Sequence, residues 1–252
     1  MVAALDFSGR VVLVTGGTKG IGRTISARFA DAGATVVACG RTKPDDDSTS
    51  RFIACDVRDP DQVNAMVDDI ASTDGRLDIV VNNAGGSPIA DTATASPRFT
   101  ESIIRLNLLA PIHVSQAANR VMQAQHDGGS IVNIASVSGV RATPNAAAYG
   151  AAKAGLLNLT QTLAVEWAPK VRVNAVTVGL VRTEQANLHY GDEDAIAAVG
   201  ATVPLGRMGD PVDVADACLF LASPLASYIS GANLLVHGGG ELPAYLSAAQ
   251  PR

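Results

Sequence analysis

The chain reads as an α/β fold: a doubly wound sheet of about seven parallel strands with helices on both faces. Three observations predict it. Short apolar runs alternate with amphipathic stretches from end to end. Several runs are continuous and β-branched, as in Val11-Val12-Leu13-Val14 and Ile79-Val80-Val81, which suits strands covered on both faces. The first run passes straight into a glycine-rich turn, Thr15-Gly16-Gly17-Thr18-Lys19-Gly20-Ile21-Gly22. Strand–helix alternation of this kind places ligands in the crevice at the carboxyl ends of the strands.

Element by element, the runs predict strands at about 10–15, 35–40, 51–56, 77–82, 130–135, 171–177 and 233–237. Ile21, Ile25 and Phe29 recur at spacing four, and Gly33 closes that helix. Asp59-Pro60 opens the next, with Val63, Met66, Val67 and Ile70 on one face. One long helix is predicted over about 100–125, another over 147–168 ahead of Pro169, and a shorter one from Asp210-Pro211. Residues 41–52 are too few and too polar for a crossover helix, so a short loop is expected there. Residues 185–208 form the least regular stretch and read as a substrate loop or lid. No repeat, linker or second domain is visible, so residues 1–252 are expected to form one domain.

Bulk properties narrow the function. The net charge is −5, so the electrostatic footprint of a nucleic-acid binder is absent. The acidic clusters Asp45-Asp46-Asp47 and Asp192-Glu193-Asp194 read as solvated loops. Cys39, Cys55 and Cys218 are odd in number and lack a Cys-x-x-Cys pair, which argues against a disulfide framework and for a reducing compartment. Neither a signal peptide nor an apolar membrane span is recognisable, so a cytoplasmic protein is expected. His113, His126, His189 and His237 are scattered without metal-ligand spacing, and no metal site is expected.

Two local patterns carry chemistry. Gly16, Gly20 and Gly22 lie between a strand and a helix, where glycine lets backbone approach a pyrophosphate seated on the helix N-terminus. Tyr149 and Lys153 are four residues apart, so on a helix they share one face. An ammonium beside a phenol favours phenolate and lowers the Tyr pKa, which makes the pair an acid–base device. Ser136 ends the apolar run before them. A nucleotide cradle and a Ser/Tyr/Lys set in one chain point to hydride transfer at a carbonyl or alcohol.

These motifs, taken together, resemble the short-chain dehydrogenase/reductase family over nearly the whole chain. Thr15-Gly16-x-x-x-Gly20-x-Gly22 matches the family's cofactor motif, and Asn82-Asn83-Ala84-Gly85 the motif after its fourth strand. Asp56-Val57 matches the pair that contacts adenine in relatives, and Asn107, Ser136, Tyr149 and Lys153 fall on the catalytic tetrad. The resemblance implies a Rossmann-type sheet. It implies Tyr149 as the proton donor to a ketone oxygen, and as the base in the reverse direction. Lys153 would hold the nicotinamide ribose and depress the Tyr149 pKa. Ser136 would bond the substrate oxygen, and Asn107 a water leading from Lys153 to solvent. Cofactor contacts are implied at Gly16, Thr18, Lys19, Gly20, Ile21, Gly22, Arg41, Asp56, Val57, Asn83, Ala84, Gly85, Tyr149, Lys153, Gly179, Val181 and Thr183. A dimer or tetramer built through two long helices is implied as well. There are two departures. Val178-Gly179 stands where relatives carry Pro-Gly, and His237 stands where they carry Asp.

Charge argues for NADP(H) over NAD(H). An acid at the end of the second strand would bind both ribose hydroxyls. Here Gly40 is followed by Arg41, whose planar donor fork suits a 2′-phosphate, and Lys19 adds a second cation. The expected partner is a small carbonyl or alcohol substrate. Two alternatives stay open: an NAD-linked dehydrogenase of dihydrodiols or hydroxyacyl groups, and a non-catalytic dinucleotide sensor. Arg141 reads either as solvated surface or as a contact for an anionic substrate group.

Overall fold

The structure is a computed structural model and describes residues 5–43 and 51–245. Seven strands pair in parallel in the order β3-β2-β1-β4-β5-β6-β7. They are β1 Val11–Thr15, β2 Thr35–Gly40, β3 Arg51–Ala54, β4 Ile79–Asn82, β5 Gly129–Ser136, β6 Val171–Val178 and β7 Asn233–Val236. The helices between them are α1 Gly20–Asp31, α2 Pro60–Asp74, α3 Pro97–Ile104, α4 Ala110–Ala124, α5 Ala147–Glu166, α6 Ala186–Tyr190, α7 Glu193–Ala201 and α8 Pro211–Ala222.

Strand alternation explains why the β-branched runs are continuous. Val11 and Leu13 of β1 enter one core, with α2, α4 and α5; Val12 and Val14 enter the other, with α1 and α8. Both sets are buried, so neither face of the strand can be polar. Phe29 of α1 is fully buried and meets Phe7 edge-on at 5.0 Å between ring centroids. The strand order reverses between β2-β1 and β1-β4. Their carboxyl ends therefore diverge around a crevice, the topological switch point where such sheets take ligands.

Four expectations need correction. The helix over 100–125 is not one helix: α3 and α4 flank a π-helical turn, Arg105–Leu109. Pro111 has no N–H to give the Asn107 carbonyl, so the regular ladder cannot pass through this point. Residues 185–208 are not irregular but hold α6 and α7, fixed by a small core of Ala186, Ile196 and Met208. Asp192-Glu193-Asp194 is not a loop. Asp192 caps α7 by accepting from the Ala195 N–H at 3.0 Å, and the two acids behind it occupy the first turn, where the helix dipole favours them. Finally, β3 ends at Ala54 rather than at 56. The cluster Asp45-Asp46-Asp47 lies outside the described residues.

Cys39, Cys55 and Cys218 are unpaired and buried. No helix among the described residues is long and apolar enough to cross a membrane, and no metal-ligating cluster occurs among them.

Candidate active site

The glycine turn is sewn to the end of β4. Thr15 Oγ1 accepts from the N–H groups of Asn83 and Ala84, both at 3.0 Å. Asn83 Nδ2 donates back to the carbonyls of Thr15, at 2.9 Å, and Gly16, at 3.2 Å. This packing leaves no room for side chains. A Cβ on Gly22 would lie 2.2 Å from the Gly16 carbonyl oxygen and 2.4 Å from Asn83 Nδ2. Gly16 has a φ of 63°, and a Cβ there would press on Ala84 Cα at 3.1 Å. The exposed N-terminus of α1 has no side-chain cap from Lys19 and no acid in its first turn. Its Gly20 N–H instead donates to Glu184 Oε1 at 2.8 Å, so an anionic oxygen already sits where a phosphate oxygen would bind. A glycine cradle closed to side chains, ending on a donor that holds an anion, fits the diphosphate of a dinucleotide.

A cavity of about 500 Å³ opens from this turn across the ends of β4, β5 and β6. That size suits a cofactor site. It brings together Gly16, Lys19, Gly20, Ile21, Gly22, Asn83, Ala84 and Gly85 of the expected cofactor contacts with Ser136, Tyr149 and Lys153 of the expected catalytic set. Val178, Gly179, Val181 and Thr183 line it too, and α6 contributes His189 and Tyr190.

Ser136 is half-buried at the end of β5, and its Oγ accepts from the Ser138 N–H at 3.2 Å. Lys153 is buried on α5, with Nζ 5.6 Å from the centroid of the Tyr149 ring. Nζ donates to the Ile134 carbonyl at 2.7 Å. Burial of the ammonium pulls the Lys153 pKa down to about 8. The expectation for Tyr149 is overturned here. Its pKa is raised rather than lowered, because burial of the phenol outweighs the opposing Ser136 hydroxyl. The spacing puts the two groups on one face, but the hydrogen bond of the ammonium goes to a main-chain carbonyl.

Asn107 lies in the π turn, fully buried. Its Oδ1 accepts from Gly86 N at 2.9 Å, and its Nδ2 donates to Gly86 O at 2.9 Å and Ile103 O at 3.0 Å. Both side-chain donors are engaged, so Asn107 shapes the loop behind Gly85 and has only acceptor capacity left for a water. A Cβ on Gly85 would strike Asn107 Oδ1 at 2.8 Å, which accounts for glycine there.

The residues assigned to the adenosine end stand apart from the cavity. Asp56 is held by Arg58 through bonds of 2.5 to 3.1 Å, which lower its pKa, and Arg41 adds to the same effect. Val57 is buried in the core beside β2 and β3. Thr18 faces Gly40: its Oγ1 is 3.8 Å from the position a Gly40 Cβ would take. Arg41 is exposed and makes no side-chain hydrogen bond or ion pair to another described residue. Arg141 is paired with Glu241 and bonds Thr143 Oγ1 at 3.1 Å, so its charge is already matched. His237 Nδ1 accepts from Gly239 N at 3.2 Å, and a Cβ on Gly179 would lie 2.6 Å from His237 Cβ. Val178 is buried and extends β6 opposite Val236, so this strand end is ordered without proline. Glu184 is the site residue that sequence reasoning missed. Nothing in its local pattern signals a partner 164 positions away.

Residues 16–241 match the family model described as enoyl-(acyl carrier protein) reductase. Among curated relatives, a 3alpha-hydroxysteroid dehydrogenase of Mediterraneibacter gnavus is 36% identical, covering 92% of this chain and 97% of its own. A 3-oxoacyl-[acyl-carrier-protein] reductase of Thermotoga maritima is 35% identical, covering 93% and 99%. Among solved structures, the ligand-free aldohexose dehydrogenase of Thermoplasma acidophilum superposes with a TM-score of 0.88 at 36% identity, covering 98% of this chain and 97% of that one.

Proposed function

The chain belongs to the short-chain dehydrogenase/reductase family, oxidoreductases acting on CH–OH and C=O groups with NAD(P), and we propose that it is an NADP(H)-preferring member with Tyr149 as its general acid and base. One observation carries this reading: Ser136, Tyr149 and Lys153 open onto the same cavity as the glycine cradle. The bound nicotinamide would supply or accept the hydride. The chain's own residues handle the proton and the charge. Ser136 Oγ would donate to the substrate oxygen and stabilise the charge developing there. Tyr149 would pass its proton to that oxygen, and its raised pKa keeps the phenol protonated for reduction at neutral pH. Lys153 would turn from the Ile134 carbonyl to the nicotinamide ribose. Asn107 would fix the Gly85-Gly86 loop beside it.

Arg41 and Lys19 carry the proposed choice of NADP(H), as exposed or cavity-facing cations near the ends of β2 and β1. The relatives' names span steroid, acyl-carrier and sugar substrates, so the proposal stops at a small carbonyl or secondary alcohol. The same reading takes the protein as a cytoplasmic homo-oligomer. The test is a panel of ketones and aldehydes with NADPH, followed by loss of nicotinamide absorbance. Turnover of at least one member is expected. A protein that binds NADPH but turns over none across the panel is a sensor, not this enzyme.

A further inference from the structure

The contact between Glu184 and Gly20 is unlike the rest of the cradle, because it joins the cofactor turn to the segment that leads into α6. Gly20 begins α1, and its N–H donates to Glu184 Oε1 at 2.8 Å. Arg23 Nη2 is 4.0 Å from the same oxygen, and Lys19 adds attraction. The backbone donors, helped by Arg23 and Lys19, hold the Glu184 carboxyl below its ordinary range, so it is ionised at neutral pH. The side chain is 44% exposed, so it can swing into water without opening the core. A Cβ placed on Gly20 would find Thr183 Cγ2 at 3.7 Å and Glu184 Oε2 at 3.9 Å, which shows how closely this segment lies over the turn.

We propose that Glu184 is an affinity-setting residue: its carboxylate occupies the backbone donor that a dinucleotide's diphosphate needs, so the cofactor binds by displacing an internal anion. This rests on reading the N-terminus of α1 as a dinucleotide cradle. Two consequences follow from the geometry. First, the diphosphate is common to NADPH and NADH, so Glu184 weakens both by the same factor, whereas Arg41 acts on their ratio. Second, Glu184 stands two residues before α6, which has no side-chain cap and presents His189 and Tyr190 to the cavity. Ala186 anchors the start of α6 in the small core, so the carboxylate can leave without moving that wall. In the free protein the same carboxylate caps α1, which otherwise has no side-chain cap.

Fluorescence titration of NADPH and NADH against the full-length wild type, Glu184→Gln and Glu184→Ala tests this, with thermal melts of each protein alone. Glu184→Gln keeps size and shape, so it reports even where Glu184→Ala folds poorly. Both variants are expected to tighten NADPH and NADH equally: Glu184→Ala by about three- to tenfold, as expected for loss of one charge-assisted bond at a partly exposed helix end, and Glu184→Gln by less, because its amide oxygen still accepts from the Gly20 N–H but without charge. Without dinucleotide, Glu184→Ala is expected to melt below wild type. Unchanged or weaker affinity in both variants, with wild type binding normally, overturns the role of Glu184 and leaves the cradle standing. A wild type that binds neither dinucleotide overturns the cradle and the inference together.

Discussion

The proposed preference for NADP(H) rests on Arg41 and Lys19, and on the lack of an acid at Gly40, so two adjacent substitutions at the end of β2 should reverse it. Gly40 closes the strand, and a Cβ there would meet Phe52 Cε2 at 3.7 Å and Thr18 Oγ1 at 3.8 Å, ordinary contact distances. A side chain can therefore start there without moving the backbone. Arg41 is exposed, and the nearby Asp56 carboxylate is already matched by Arg58, so Arg41 is not committed to it. A charge-assisted bond to a 2′-phosphate is worth about 1.5–3 kcal/mol where well formed. Two such cations, Arg41 and Lys19, set an upper limit that exposure and salt reduce to about 2–3 kcal/mol in total. That corresponds to a preference for NADPH of about 30- to 150-fold in kcat/KM. Gly40→Asp combined with Arg41→Ala is expected to favour NADH, because a carboxylate at the strand end accepts from ribose hydroxyls and repels phosphate. The assay is kcat/KM for both cofactors on one active ketone, for wild type and the double variant, at low and high salt. The wild-type ratio should shrink with salt. A wild type that prefers NADH, or a ratio unmoved in the double variant, refutes the charge argument.

Gly22→Ala places a Cβ 2.2 Å from the Gly16 carbonyl and is expected to cost about 1–3 kcal/mol or more in urea melts and to abolish dinucleotide binding. Gly75→Ala is the control: φ is 72° with nothing within 4 Å, so about 1 kcal/mol of backbone strain should leave binding intact. Wild-type affinity in Gly22→Ala would contradict the close-packed cradle. The buried Lys153 makes apoprotein stability depend on pH. The folded chain releases this proton near pH 8, the unfolded chain at about 10.4. Between those values the unfolded chain binds the extra proton, so Lys153 penalises folding fully below about 8 and progressively less as pH rises. The gain in melting temperature of Lys153→Met over wild type should therefore shrink from pH 7.5 to 9.5; a constant or widening gap would contradict the burial argument.

Much of this site is local, and local patterns could be read. β1 and β4 announce themselves because their apolar runs, buried on both faces, show no polar alternation, and the glycine turn follows β1 directly. Ser136, Tyr149 and Lys153 open onto one cavity, as strand end and helix spacing lead one to expect. What was illegible depends on tertiary surroundings. The direction of the Tyr149 pKa shift follows from desolvation of the half-buried phenol by its tertiary neighbours, which four-residue spacing cannot reveal. The π turn at Asn107 interrupts a helix whose apolar rhythm runs on undisturbed, with Pro111 as its single local trace. The acids at 192–194 look like solvated loop until a helix starts behind them. Glu184 meets Gly20 only because β6 and β1 end at the same edge of the sheet.

Tyr149→Phe, measured for kcat and for NADPH affinity on the same preparation, tests the central claim most directly. The ring keeps its place on α5 and only the hydroxyl is lost. NADPH should bind as in wild type, while kcat on an active ketone falls by about 10²- to 10⁴-fold, the range for loss of a general acid. A purified Tyr149→Phe enzyme that binds NADPH and reduces the ketone at a near-normal rate would contradict the account.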